Sequence, residues 1–145
     1  MVRQFRFVVV VIVALLASVL AGAQEQEKAN YHNPNIPDAR SDSEVKALAY
    51  MKTVLYAQNL YRKKHKKYAP SLMALVGSGS FTRRMVSPDR GDYTASFARG
   101  FSLQMMPKTQ DSTHRSFWVN ESGTIRAEED KPATAESPVL KPDSQ

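Results

Sequence analysis

Six consecutive residues, Arg62-Lys63-Lys64-His65-Lys66-Lys67, place five cations and a histidine between Tyr61 and Tyr68. Lysine and arginine neutralise phosphates, and flanking tyrosines can stack on bases. The run is therefore a candidate anion-binding patch for nucleic acid, anionic headgroups or surface polymers. The competing reading is a solvated helix end, where cations favour the negative pole of the helix dipole. Each exposed cation contributes only about 0.3–1 kcal/mol there, so six polar positions in succession exceed what capping requires. Arg83, Arg84 and Arg90 are candidates for extending the same patch.

Other chemistry is sparse. His32, His65 and His114 are scattered, and there is no cysteine, so the usual zinc spacings cannot be built. Gly77-Ser78-Gly79-Ser80 lacks the Lys-Ser/Thr of a phosphate loop and the order of a nucleophile elbow, and reads as a flexible connector. Asp89, Asp92 and Asp111 are carboxylates that could approach a calcium ion, but their spacing is no calcium-loop signature. Asn120-Glu121-Ser122 fits a glycosylation sequon, yet its place before Gly123 suits a hairpin turn. No pair of residues has a spacing that demands catalysis. The expectation is a non-enzymatic protein with no catalytic residue, no metal and no cofactor.

The chain begins with Arg3 and Arg6, then an apolar run from Phe7 that closes on Ala21-Gly22-Ala23. This is the layout of a secretory signal peptide over residues 1–23, with cleavage between Ala23 and Gln24. The alternative is an uncleaved inner-membrane anchor through 7–23, which is at the short end of the roughly 17–25 residues that span a bilayer. Contact with a membrane is expected only through that segment if it is retained. Cleavage makes the protein exported, periplasmic or extracellular, and without a cysteine no lipobox is available. After the cut the chain keeps 18 Lys/Arg against 14 Asp/Glu and has length for one small domain, held by its core because it has no disulfide.

Residues 24–41 are polar, carry Pro34 and Pro37 and read as a flexible linker; 128–145 has three prolines and mixed charge and reads as a disordered tail. The folded part is then 42–127. A long helix is expected from a cap at Asp42 or Ser43, with Glu44 at the positive dipole end and an apolar face through Ala47, Met51, Val54, Ala57 or Gln58, and Tyr61. It should end within Arg62 to Lys67. Tyr68 to Leu72 should start a short turn of helix that returns Leu72, Leu75 and Val76 to the core. Period-two alternation then marks strands at Tyr93–Phe97, Phe101–Met105, Arg115–Val119 and Thr124–Arg126, with turns at Arg99-Gly100 and Asn120–Gly123. Alternation turns Trp118 away from Phe117 and Val119. The fold class is α+β, a long helix laid on a small antiparallel sheet.

The run ALAYMKTVLYAQNLYRKKHKKYAPSLMAL and the closing RSFWVNESGTIRAEEDKPATAESP resemble the globular domain of type IV pilins and pseudopilins, in particular short pilin-like proteins of soil bacteria. Tyr61, Tyr68 to Leu72 and the hairpin from Arg115 to Arg126 carry the likeness. It implies an accessory of a type IV pilus or type II secretion apparatus, with proteins of that apparatus as partners. The prepilin peptidase motif of that family is absent: no glycine precedes the apolar run, and no glutamate stands near its start. The chain thus looks like a pilin head on an ordinary export signal. The alternative function is a periplasmic or surface binding module that uses Arg62, Lys63, Lys64, Lys66 and Lys67 to hold nucleic acid or anionic polymers.

Overall fold

The computed structural model describes residues 39–141. Helix α1 spans Asp42–His65, 24 residues, and side-chain chemistry fixes both its ends. Ser41 is the N-cap, ahead of both expected candidates, Asp42 and Ser43; its backbone is extended (φ −152°, ψ 162°), and its Oγ accepts from the Glu44 amide at 3.2 Å. The spacing Ser41-x-x-Glu44 is that of a capping box, and here the Glu44 carboxylate accepts from the Arg40 amide at 2.7 Å. Residues 40 and 41, expected in the linker, therefore belong to the fold. At the other end Lys66 turns left-handed (φ 60°) and its amide donates to the Arg62 carbonyl at 2.8 Å, which stops the helix inside the expected window. Ala47, Leu48, Met51, Val54, Ala57 and Gln58 are buried along one face. Full burial of a side chain such as Met51 or Val54 stabilises the fold by roughly 1.5–3 kcal/mol.

Gln58 folds the chain back after the helix. Its Oε1 accepts from the Ala69 amide at 2.9 Å and its Nε2 donates to the Ala69 carbonyl at 3.4 Å, so one buried side chain satisfies a buried backbone pair. A single 3₁₀ turn follows at Met73–Leu75, later than the turn expected from Tyr68. Leu72 and Leu75 are buried as expected, but Val76 is not: it is 40 % exposed. The reason is periodicity. Residues three apart eclipse in a 3₁₀ turn, so Leu72 and Leu75 share the inner side and Met73 and Val76 the outer one.

Gly77 to Ser80 is not a loose connector. The amide of Gly77 donates to the Phe81 carbonyl at 3.0 Å and that of Ser78 to the Leu75 carbonyl at 2.8 Å, while Phe81 is buried. Gly79 has φ +61°, and a Cβ there would come within 2.8 Å of the Tyr56 ring and 3.0 Å of Leu60, so the turn lies directly on α1. A second 3₁₀ turn at Arg83–Val86 leads into the sheet.

Five strands, one more than expected, form an antiparallel meander in sequence order: β1 Asp89–Arg90, β2 Tyr93–Ala98, β3 Ser102–Pro107, β4 Ser116–Asn120 and β5 Arg126–Glu128. Register places Tyr93 and Ala95 of β2, Leu103 and Met105 of β3, Phe117 and Val119 of β4, and Ala127 of β5 on one face. These side chains form one core with the buried face of α1. Phe101, expected to open the second strand, lies instead in the turn at φ 65°. The Ala98↔Ser102 pair leaves three residues to close the hairpin, and burial of the Phe101 ring against Tyr68 and Phe97 offsets its backbone conformation. At the last turn Gly123 takes φ 77° as expected, and β5 starts later than Thr124.

The expected disordered tail is the largest departure. From Glu129 to Lys141 the chain crosses the outer face of the sheet as a strap. Ser116 Oγ donates to the Lys131 carbonyl at 2.6 Å, Gln104 Nε2 to the Ala133 carbonyl at 2.8 Å, and Arg126 NH1 to the Ser137 carbonyl at 2.7 Å. The strap then pairs along β5, with the Ala127 amide on the Pro138 carbonyl at 3.0 Å and the Leu140 amide on Ile125 at 2.9 Å. Its order comes from backbone acceptors and small side chains, Ala133 and Ser137 being buried, rather than from large apolar residues. Trp118 faces away from Phe117 and Val119 and is half-buried between Gln104 and Arg126, two of the side chains that hold the strap. The leader 1–23, its cleavage point at Ala23 and Gln24, most of the linker and residues 142–145 lie outside the described residues. Among the described residues no helix is long and apolar enough to cross a membrane.

A cationic helical lobe as the candidate functional site

The fold separates charge by element. Between Glu44 and Asp89 the chain has nine Lys/Arg and no Asp or Glu, whereas the other described residues carry eight Lys/Arg and ten Asp/Glu. This acid-free stretch is α1 beyond its first turn plus the segment that Gln58 and Gly79 hold against it. The helical lobe is thus strongly cationic, and the carboxylates of the described residues belong to the sheet, its loops, the strap and the first turn of α1.

Arg62, Lys63, Lys64, Lys66 and Lys67 are all exposed at the end of α1, and among the described residues none of them is paired with a carboxylate. In water two unit charges about 6 Å apart repel by roughly 0.7 kcal/mol. Five such charges within six residues therefore hold repulsion that a polyanion relieves. The flanking tyrosines are less open than expected. Tyr61 stacks on His65, with centroids 4.2 Å apart and planes at 29°. The Tyr68 hydroxyl accepts from Arg62 NH1 at 2.9 Å, with that guanidinium 5.3 Å from the ring centroid. Both rings stiffen the basic end of the helix rather than stand free for stacking.

Arg83 and Arg84 are exposed members of the same lobe, but Arg90 is half-buried and does not extend the basic patch. The Arg90 guanidinium lies 4.3 Å over the Tyr50 ring, and its NH2 donates to the Arg84 carbonyl at 3.3 Å. Tyr50 is twelve residues before Arg62, about 18 Å along the helix axis. Its hydroxyl donates to the Met85 carbonyl at 2.9 Å, and burial raises its pKa against the opposing influence of Arg90. Arg90 is a clamp between the second 3₁₀ turn and the helix.

Of the two acids that bound the acid-free stretch, Asp89 is engaged by Lys108 and Glu44 is consumed internally. Glu44 and Arg115 form a buried pair, Arg115 NH2 to Glu44 Oε2 at 2.9 Å and Nε to Oε1 at 3.1 Å, and the Arg115 amide also donates to Oε1 at 2.8 Å. This pair pins the first turn of α1 to the start of β4. The buried Tyr93 hydroxyl donates to the Arg115 carbonyl at 2.9 Å, and burial drives its pKa well above the ordinary value, with Glu44 adding to the rise. Nothing in the apolar periodicity pointed to this pair. Its only trace was the capping-box spacing of Ser41 and Glu44.

The remaining sequence candidates do not converge. Asp89 takes Lys108 at 3.1 Å, Asp92 accepts from the Ser43 hydroxyl, and Asp111 holds Thr113 and His114. Among the described residues no group of three or more His, Asp or Glu is placed to hold a metal ion. The hydrogen bonds from Thr113 and His114 hold Asp111 down at about 2. This trio is not a triad, because hydroxyl and carboxylate both meet Nδ1 of His114 (3.0 and 2.8 Å), leaving no relay across the ring. An open cleft of about 420 Å³ lies between β5 and the strap, lined by Arg115, Glu128, Glu129 and Asp130 among others. Its one buried cation is already engaged with Glu44.

No protein-family model, curated protein or solved structure matches this chain.

Proposed function

We propose that the folded domain is a non-enzymatic binding head on an exported chain, and that it holds polyanions through the cationic lobe centred on Arg62, Lys63, Lys64, Lys66 and Lys67. One observation carries this reading: nine cations with no carboxylate in 44 consecutive residues, gathered by the fold into one lobe whose five densest charges are exposed and, among the described residues, not paired with a carboxylate. A helix end needs one or two cations for its dipole, and the surplus costs mutual repulsion that an anionic partner removes. The test is retention on heparin resin as a function of salt. Replacing Lys63, Lys64, Lys66 and Lys67 by Gln should advance elution and flatten the log–log salt dependence by roughly 3, at about 0.7–0.9 per neutralised phosphate-like charge. Unchanged retention and slope would refute the proposal.

A second reading, an accessory of a type IV pilus or type II secretion apparatus, is favoured by the sequence resemblance and by the antiparallel sheet laid under one long helix. In this reading the head would dock on apparatus proteins rather than extend a filament rod, because Ser41 caps α1 at its start. N-terminal sequencing of the exported protein separates the forms: a start at Gln24 gives a free head, and a retained leader gives an anchored one.

A further inference from the structure

We propose that the partner of the cationic lobe is an anionic lipid surface, on which the domain docks with Met73 and Val76 inserted among the headgroups. The inference rests on the binding reading above and names its ligand. Among the described residues four large apolar side chains are strongly exposed, and three of them, Tyr56 (57 %), Met73 (52 %) and Val76 (40 %), belong to the acid-free lobe. They are placed together. Met73 and Val76 eclipse on the outer side of the 3₁₀ turn, with the Val76 amide on the Met73 carbonyl at 3.2 Å. Three residues on, Gly79 rests against the Tyr56 ring. On α1, Lys63 follows Tyr56 at i+7, so cation and ring share one stripe of the helix.

A lobe that carries both exposed cations and exposed apolar side chains matches the bilayer interface, where anionic headgroups meet acyl chains. A single-stranded nucleic acid would call for open aromatic faces. Here Tyr61 and Tyr68 are occupied by His65 and Arg62, the Tyr56 ring has the Gly79 turn lying against it, and Met73 and Val76 have no π-face to offer.

The absence of cysteine makes the test clean. In the full chain, M73C and, separately, A135C, exposed on the strap across the sheet from α1, are labelled with an environment-sensitive fluorophore. Each is mixed with vesicles of phosphatidylglycerol and phosphatidylcholine, or of phosphatidylcholine alone. The proposal predicts a blue shift at position 73 with anionic vesicles only, no shift at 135, and loss of the shift in K63Q/K64Q/K66Q/K67Q. At about fivefold per cation near an anionic surface, the four substitutions together should weaken docking by roughly 600-fold. Because both labels report locally, membrane association through residues 7–23 does not mimic the result. An equal shift on neutral vesicles, an equal shift at 135, or none at 73 would overturn the lipid proposal. If heparin retention still depends on the four lysines in that case, the binding reading stands and only the ligand is wrong. If duplex DNA is held while position 73 stays silent, the lobe is a nucleic-acid site. Loss of both signals removes both readings.

Discussion

Replacing Glu44 by Gln should be among the most damaging conservative changes this domain can suffer. The side chains of Glu44 and Arg115 are 0 % and 6 % exposed, and the carboxylate accepts from four donors: the amides of Arg40 and Arg115, and Nε and NH2 of Arg115. A glutamine keeps the shape but has only one acceptor oxygen. Whichever way its amide points, two of those donors face an NH2 group, and the Arg115 cation is left buried without a counter-charge. Breaking a buried pair from one side costs about 3–5 kcal/mol, a large share of the roughly 5–15 kcal/mol that holds a small domain together. At about 4–8 °C per kcal/mol for a domain near 100 residues, Tm should fall by at least roughly 12 °C. Urea unfolding followed by Trp118, the sole tryptophan, measures the loss directly. A cycle with R115Q and the double variant should return a coupling of at least about 2 kcal/mol, since contacting partners are non-additive. A loss below about 1 kcal/mol for E44Q, or additivity in the cycle, would refute the assignment of this pair as the lock between α1 and the sheet.

Two further outcomes follow from the same geometry. Because burial raises the Tyr93 pKa, the folded state keeps its proton when the unfolded chain loses it; stability should be full below pH 10 and decline as pH rises beyond it, with Y93F flattening the decline in the urea midpoint. Deleting 130–145 removes the shorter of two acceptors of Ser116 and the acceptors of Gln104, Arg126 and the Ala127 amide, and should cost at least about 2 kcal/mol in thermal or urea unfolding; no loss would mean the strap is not part of the fold.

The helix was legible because its apolar residues recur at three- and four-residue steps, and strands β2 to β4 because Tyr93, Ala95, Leu103, Met105, Phe117 and Val119 alternate. Hydropathy could not reveal the strap: Ala133, Ser137 and Pro138 are small or polar, and what orders them is hydrogen bonding to Gln104, Arg126 and the β5 edge. Glu44 looked like a surface charge favouring the helix dipole, because a lone glutamate carries no mark of burial until Arg115, 71 residues on, is folded beside it. Val76 misled for a related reason, since its apolar character implied the core while the 3₁₀ period turned it outward. The candidate site was only half visible. The basic run announced itself, but the absence of acid from Val45 to Pro88 could be counted in the sequence all along. Its meaning emerged only when the fold packed that stretch into one lobe.

Lysine acetylation footprinting with and without heparin tests the central claim most directly, because the chain supplies its own internal controls. If the lobe is the binding surface, heparin should slow modification of Lys63, Lys64, Lys66 and Lys67 while leaving Lys108, Lys131 and Lys141, which are exposed on the sheet and strap, unchanged. Uniform protection, or protection centred on the sheet lysines, would contradict it.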